Sequence, residues 1–509
     1  MRLIALLALC AVGTAAADPA AELYREHCAG CHGADRLGGS GPALLPQTLA
    51  RLGEAALAAV LRDGLPATQM PGFGGRLEAA ELAELAAFLR RDPDVPVRWT
   101  ETDLRASHRV YARPEPDAKP RFAADPLNVF VVVETGDHHI TLLDGDRFRP
   151  IHRFATRPAL HGGPKFSPDG RFVYLAARDG WITLYDLYRL ETVAEIRVGL
   201  NTRNLAVSHD GRYVAVANQL PHTLVLLDAR DLSLLKILPA VDREGRSSRV
   251  AAVYTAPPRG SFVAALRDAR EIWEIPYREG ARVYNGLVHD HRLGEALAEP
   301  GPFPVRQIAV DTPLEDFFFD SAYRHLVGAA RVTGGLYVVQ LDVGRVIARL
   351  DLPGMPHLGA GITWRWQDRD ILAVPHLQAA KISFIDTRDW SLLGSVDTLG
   401  PGFFIRSHPE SPYAWADVFF GPHRDAVHLI DKRSLKIAHT LVPEPGRTSA
   451  HVEFTRDGRH ALLSIREDDG ALLVYDARSL RLEHRLPMRK PSGKYNVYNK
   501  TRYLPGTSH

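Results

Sequence analysis

Two periodicities of apolar residues divide the chain. From about Asn128 onward, short runs alternate apolar and polar residues, the period of a half-buried β-strand, and tight-turn signals separate them. Ser167-Pro168-Asp169-Gly170-Arg171-Phe172-Val173-Tyr174 is echoed by Ser208-His209-Asp210-Gly211-Arg212-Tyr213-Val214-Ala215. It returns as Thr455-Arg456-Asp457-Gly458-Arg459-His460-Ala461-Leu462. Each Asp-Gly-Arg predicts a hairpin turn, then an alternating strand, a second turn and a strand ending in Asp, as in 182–186, 224–228 and 472–476. Weaker copies begin near Asn128, Val250, Phe317, Ile362 and Phe404. A period of about forty residues with four short strands per unit predicts a β-propeller. The copies count to eight blades, the fourth and fifth being the least regular. No blade can cover its own apolar face, so the ring must close.

Ahead of that region the spacing is helical. Residues 77–90 put Leu82, Leu85, Ala86 and Leu89 on one helix face, and Asp92-Pro93-Asp94-Val95-Pro96 ends it. The stretch 93–125 is rich in Pro and charge (Arg113-Pro114-Glu115-Pro116) and reads as a linker able to lie against either neighbour. At the start, Met1-Arg2 supplies positive charge, 3–12 is a short apolar run, and Ala15-Ala16-Ala17 fits a small-residue cleavage site. Residues 1–17 therefore predict a cleaved secretory signal peptide. No later stretch reaches the roughly 18 apolar residues of a membrane helix. With Cys10 removed, Cys28 and Cys31 remain, so a disulfide framework is excluded. The 509 residues call for more than one core, and a net charge of +2 without a dense basic block argues against nucleic acid and anionic membrane as partners.

Both remaining cysteines lie in Cys28-Ala29-Gly30-Cys31-His32, the spacing of a c-type haem attachment site. Two thiols bond the porphyrin edge while the adjacent imidazole ligates iron. The same pair could be half a zinc site or a redox dithiol. Zinc would want a second Cys or His pair, and a thioredoxin-type pair would sit beside a strand–helix–strand pattern; neither follows. Residues 67–75 place Met70 in a Pro/Gly-rich loop as a second iron ligand, the alternative being a core methionine. Haem loop, Met loop and closing helix resemble a class I cytochrome c domain over 18–92, made in the periplasm, where covalent haem is attached.

Several strips of the second region resemble the haem d1 domain of cytochrome cd1 nitrite reductases and haem d1 biosynthesis proteins. They are Ala176-Ala177-Arg178-Asp179-Gly180-Trp181-Ile182, Arg249-Val250-Ala251-Ala252-Val253, Phe404-Ile405-Arg406-Ser407-His408-Pro409 and, most specific, Pro491-Ser492-Gly493-Lys494-Tyr495-Asn496-Val497-Tyr498-Asn499. The resemblance spans 126–509 and implies an α plus all-β multidomain plan: a helical cytochrome c followed by an eight-bladed propeller that binds haem d1 or dihydro-haem d1 noncovalently. By position His161, beside Gly162 and Gly163, matches the proximal iron ligand, and the glycines would let a macrocycle approach the backbone. The macrocycle's carboxylates ask for Arg; Arg178, Arg203 and Arg249 lie in matching strips. His357, His376, His408 and His451 fall near the starts of blades, where channel residues occur; His376 and His408 are assigned to cofactor binding.

One departure steers the function. The nitrite reductases place two His over the distal face, whereas the matching strips here read Tyr254-Thr255-Ala256-Pro257-Pro258 and Thr312-Pro313-Leu314-Glu315. Ala and Pro transfer no protons, so nitrite chemistry lacks support. Loss of that pair with both haem-binding units kept resembles the family's dehydrogenating biosynthetic branch. That implies oxidation of a propionate of dihydro-haem d1 to an acrylate, with electrons passed to haem c and on to a periplasmic acceptor. Such a reaction needs a base, and His357 and His451 are the candidates. The implied recipient of the product is a cd1 nitrite reductase. An unusual nitrite reductase and a non-catalytic haem d1 carrier stay open as alternatives, and a quinoprotein propeller lacks its repeated Trp-docking motif.

Overall fold

A computed structural model describes residues 18–39, 41–50, 52–65, 70–285 and 301–502. The expected signal peptide and residues 67–69 of the loop before Met70 lie outside the described residues.

The N-terminal unit is built from short helices: α1 (Pro19–His27), α2 (Ala29–His32), α3 (Pro46–Leu49), α4 (Glu54–Asp63) and α5 (Ala79–Leu89). In α5 the stripe Leu82, Leu85, Ala86 and Leu89 is buried, and the Glu81 side chain accepts from the Glu78 amide at the start. That stripe packs on Tyr24, Leu57, Leu61 and Phe73, and the Cys28 side chain is buried in the same cluster. Apolar burial of this kind, at about 25 cal/mol per Å², holds five short helices that would not persist alone.

Eight sheets follow, one per blade. Blade 1 takes its inner strand, Pro491–Asn496, from the far end of the chain and pairs it with Val129–Glu134, opposing Asn496 to Phe130 and Tyr495 to Val131. This closes the ring, and the short helix α7 (Val497–Thr501) seals it from below through Asn499, which donates to Glu453 and to the Phe454 carbonyl. The recurring Asp residues are turn fasteners. Asp186 accepts from the amides of Tyr188 and Arg189, and Asp476 from those of Arg478 and Ser479, each ahead of a left-handed Leu (Leu190, Leu480). Gly170, Gly211 and Gly458 supply the positive φ of the Asp-Gly turns. In blade 4 the third strand, Glu271–Pro276, and the fourth, Arg306–Ala309, are 29 residues apart, which explains its irregular period.

The stretch 93–125 is not a bare tether. It forms a helix, α6 (Glu101–Ser107), and a strand, Arg109–Val110, that adds a fifth member to blade 2 by pairing with Ala194 and Glu195. Leu104 is 1% exposed in the core between blades 2 and 3. Arg171, in a buried 2.6 Å ion pair with Asp186, donates to the carbonyls of Glu115 and Pro116.

Candidate active site: two haem-binding pockets

The cytochrome pocket is local in sequence. Cys28, Cys31 and His32 sit on one turn, with the amides of Cys31 and His32 donating to the Cys28 carbonyl. His32 is buried, and its Nδ1 lies 2.7 Å from the Pro42 carbonyl oxygen. Donation to that carbonyl leaves Nε2 with its lone pair, the state an iron ligand requires. Burial lowers the imidazole pKa and keeps it neutral. The loop can cross the ring only at Gly41, where a Cβ would come within 2.5 Å of His32 Cε1. Met70 packs half-buried on the same core as Cys28. Burial, with Cys31 beside it, pushes the Cys28 thiol up to about 11, so it rests as a neutral thiol. The residues therefore fit a covalent haem with Cys28 and Cys31 as thioether positions and His32 and Met70 as ligands.

The propeller pocket is assembled from several blades at one end of the ring. His161 precedes the inner strand of blade 2, and its Nδ1 lies 2.7 Å from the Arg203 carbonyl oxygen, again leaving Nε2 as the lone-pair nitrogen. Burial, then the charges of Arg178 and Arg203, push its pKa well below the usual value. Arg203 Nη1 stands 3.1 Å from His161 Nε2 while its Nε donates to the Ala251 carbonyl. For that nitrogen to hold a metal, the Arg203 guanidinium would have to leave it. Burial and Arg203 push Arg178 down to about 10, and burial with Arg406 and Arg203 brings Lys165 down to about 7. Such crowded, desolvated cations fit a polycarboxylate macrocycle.

His451 lies in the inner strand of blade 8 (Ser449–Phe454), where the pairing register slips between Ala450 and Val452. It adopts φ 52°, and this bulge aims the imidazole between the rings of Phe404 (4.6 Å) and Tyr495 (5.3 Å). Both ring nitrogens are buried without a protein hydrogen-bond partner. Its backbone is clamped on both sides: the amide donates to Asp417 and the carbonyl accepts from Lys494, which also donates to Ser464. Asp417, pushed up to about 6 by burial, holds the amides of Phe403 and Phe404 as well. His357 donates from Nδ1 to the Phe403 carbonyl at 2.8 Å, and its Nε2 lies 3.7 Å from Asp316. Tyr254, in the strip where the resemblance would put a distal His, instead donates to Asp316 at 2.9 Å. Sequence reading passed over Asp316, Asp417 and Lys494; only Lys494, inside the most family-like strip, carried a signal.

Four expectations are corrected. His376 is fully buried with Nδ1 on the Pro353 carbonyl and Nε2 on Ser383, so both nitrogens serve the interior of blade 6. His408 follows the inner strand Ile405–Arg406 and therefore sits at the opposite end of that strand from Phe404, packed under the Gly458 turn. There it lines a cavity of about 820 Å³ with Arg406, Glu453, Asn499 and Lys500. Arg249 is already bidentate on Asp268, at 2.5 and 2.8 Å. Gly162 and Gly163 serve packing against protein: a Cβ would come within 2.6 Å of Asn204 Cβ at the first and 3.0 Å of the Tyr495 ring at the second.

The cytochrome D1 haem domain model matches residues 124–291 and 296–500, and that of the cbb3-type cytochrome c oxidase subunit III matches 15–89. The chain is 55% identical to the dihydro-haem d1 dehydrogenase of Pseudomonas aeruginosa, over 100% of both chains. To the nitrite reductase of Stutzerimonas stutzeri it is 25% identical, over 97% of this chain and 96% of that one. A solved structure of dihydro-haem d1 dehydrogenase NirN in complex with DHE superposes with a TM-score of 0.82 at 55% identity, covering 95% of this chain and 100% of that one. With this model matched over most of its length and a relative 55% identical over the whole chain, the chain belongs to the cytochrome d1 haem domain family.

Proposed function

We propose that the protein is a dihydro-haem d1 dehydrogenase, oxidising one propionate side chain of the macrocycle to an acrylate. The observation that carries this is His451, a buried neutral imidazole with no protein partner for either nitrogen, whose ring lies 5.3 Å from that of Tyr495, the residue packed on Gly163 two positions after His161. A base facing a C–H bond has to be unprotonated and desolvated, and burial beside Lys494 and Arg406 keeps His451 so.

In this reading His161 Nε2 ligates the substrate iron, and Arg178 and Arg203 hold its carboxylates so that the reacting side chain is fixed over His451. The saturated –CH2–CH2– unit becomes –CH=CH–, losing two protons and two electrons. His451 takes one proton, and His357, backed by the Asp316 carboxylate at 3.7 Å, takes the other. Haem c, held by Cys28, Cys31, His32 and Met70, supplies a one-electron acceptor. The N-terminal signal reading supports a periplasmic location, with a periplasmic electron acceptor and a cd1 nitrite reductase as recipient of the product.

The test is anaerobic incubation of dihydro-haem d1 with an excess of ferric holoprotein, so that two one-electron acceptors are present per substrate, and mass analysis of the extracted macrocycle. A product lighter by two hydrogen atoms is expected. An unchanged macrocycle would make the propeller a carrier, and nitric oxide from added nitrite would make it a reductase.

A further inference from the structure

The turn that carries Arg178 faces two ways. Arg178 looks into the propeller mouth, beside His161 and Arg203. The next residue, Asp179, is buried against the cytochrome unit, where a methyl group on Gly38 would lie 3.6 Å from its Cβ. Gly38 in turn donates its amide to the carbonyl of His32, at 2.9 Å.

One side chain joins these two backbones. Arg197, the last residue of the outer strand Glu191–Arg197, donates Nε to the Asp179 carbonyl at 2.8 Å and Nη2 to the Leu37 carbonyl at 3.2 Å. Its guanidinium is fixed for that task. Its Cζ lies 4.7 Å from the centre of the Trp99 ring, Trp99 Nε1 donates to the Arg197 carbonyl, and the Arg197 amide donates to Ser107. The order of α6 and the residues before it, unexplained by a tether, is thereby accounted for: they build the platform on which this arginine rests. A planar fork with donors pointing two ways suits the position, and a lysine cannot reproduce it.

We infer that Arg197 is the bridge through which electrons cross from the propeller pocket to the haem c unit. The route runs from Arg178 along the backbone to the Asp179–Gly180 peptide, through the guanidinium to the Leu37–Gly38 peptide and the His32 carbonyl, in three hydrogen bonds of 2.8, 3.2 and 2.9 Å. Electronic coupling decays far less along bonds and hydrogen bonds than across open gaps. The inference rests on the proposed dehydrogenation: each substrate loses two protons and two electrons, each electron reduces one ferric haem c, and a one-electron oxidant such as ferricyanide restores it. Arg197 touches neither macrocycle and is a positioning residue.

The test compares wild type with Arg197→Lys and Arg197→Gln as holoproteins loaded with haem d1. Haem c is reduced by a radiolytic pulse and inter-haem transfer is followed spectroscopically. Haem c midpoint potential, macrocycle affinity and amide exchange of residues 33–44 are measured in parallel. Both variants are expected to transfer at least about tenfold more slowly, with potential, affinity and exchange unchanged. Trp99→Phe keeps a ring beneath the guanidinium and is expected to transfer at the wild-type rate. Wild-type rates in both Arg197 variants would overturn the inference. So would slowing accompanied by faster exchange over 33–44, which would make Arg197 a fastener only. If wild type fails to dehydrogenate its substrate, the functional reading falls instead, a result distinct from either.

Discussion

His32 in the cytochrome unit and His161 in the propeller are held by the same device and differ in what surrounds it. Each sets Nδ1 2.7 Å from a backbone carbonyl oxygen and so keeps Nε2 for a metal. The carbonyl that fixes His32 is ten residues away, at Pro42, and two thiols stand beside it for covalent attachment. The carbonyl that fixes His161 belongs to the next blade, at Arg203, and the surroundings are cations. In the proposed reading the first site would retain its ligand by bonds, the second by charge and one metal ligand. A resident cofactor needs the former; a substrate that must arrive and leave needs the latter.

The contrast can be broken most severely at the cysteines. Replacing Cys28 and Cys31 by Ser should abolish covalent haem, read as loss of the haem stain on a denaturing gel, while the propeller still takes up dihydro-haem d1. His161→Ala is the converse. It should leave haem c intact and weaken macrocycle uptake by more than the about 10–100-fold that losing an outer-shell partner costs, measured by absorbance titration. His451→Ala should bind the macrocycle normally and lower turnover by about 10²–10⁴-fold in stopped-flow assays, separating chemistry from binding. Arg178→Ala removes one charge-assisted contact worth about 1.5–3 kcal/mol, and titration should show about 10–100-fold weaker binding that depends less on salt.

The smallest effect concerns Asp179, whose carboxyl burial pushes up to about 6. The folded protein then holds this proton more tightly than the unfolded chain does, so its contribution to stability falls as pH rises from about 4 through 6. Asp179→Asn should raise Tm at pH 7.5 by about 2 °C and at pH 5 by about half as much in calorimetry, because pH 5 lies midway through that window.

The same contrast explains what the sequence could disclose. The cytochrome c domain was legible because its motif is packed into five consecutive residues, and the blades were legible because Asp-Gly turns recur and are solved locally each time. The propeller pocket depends on placement that no local pattern encodes. His451 owes its direction to a bulge, and the bulge owes its hold to Asp417 in blade 7 and to Lys494 on the ring-closing strand. His376 and His408 had equal standing in the sequence, yet the ring sends one into the interior of blade 6 and the other to the far mouth. Arg249 looked like Arg203 until Asp268 was found opposite it. Position along a blade indicated which residues neighbour the channel; partners from other blades decided which of them face it.

Mixing a small amount of dihydro-haem d1 with excess ferric holoprotein under strict anaerobiosis tests the central claim most directly, by counting ferrous haem c formed per macrocycle converted, with any change in the oxidation state of the macrocycle iron subtracted. The account predicts two ferrous haems c for each acrylate produced. Acrylate formed while haem c stays ferric, or haem c reduced while the propionate persists, would contradict it.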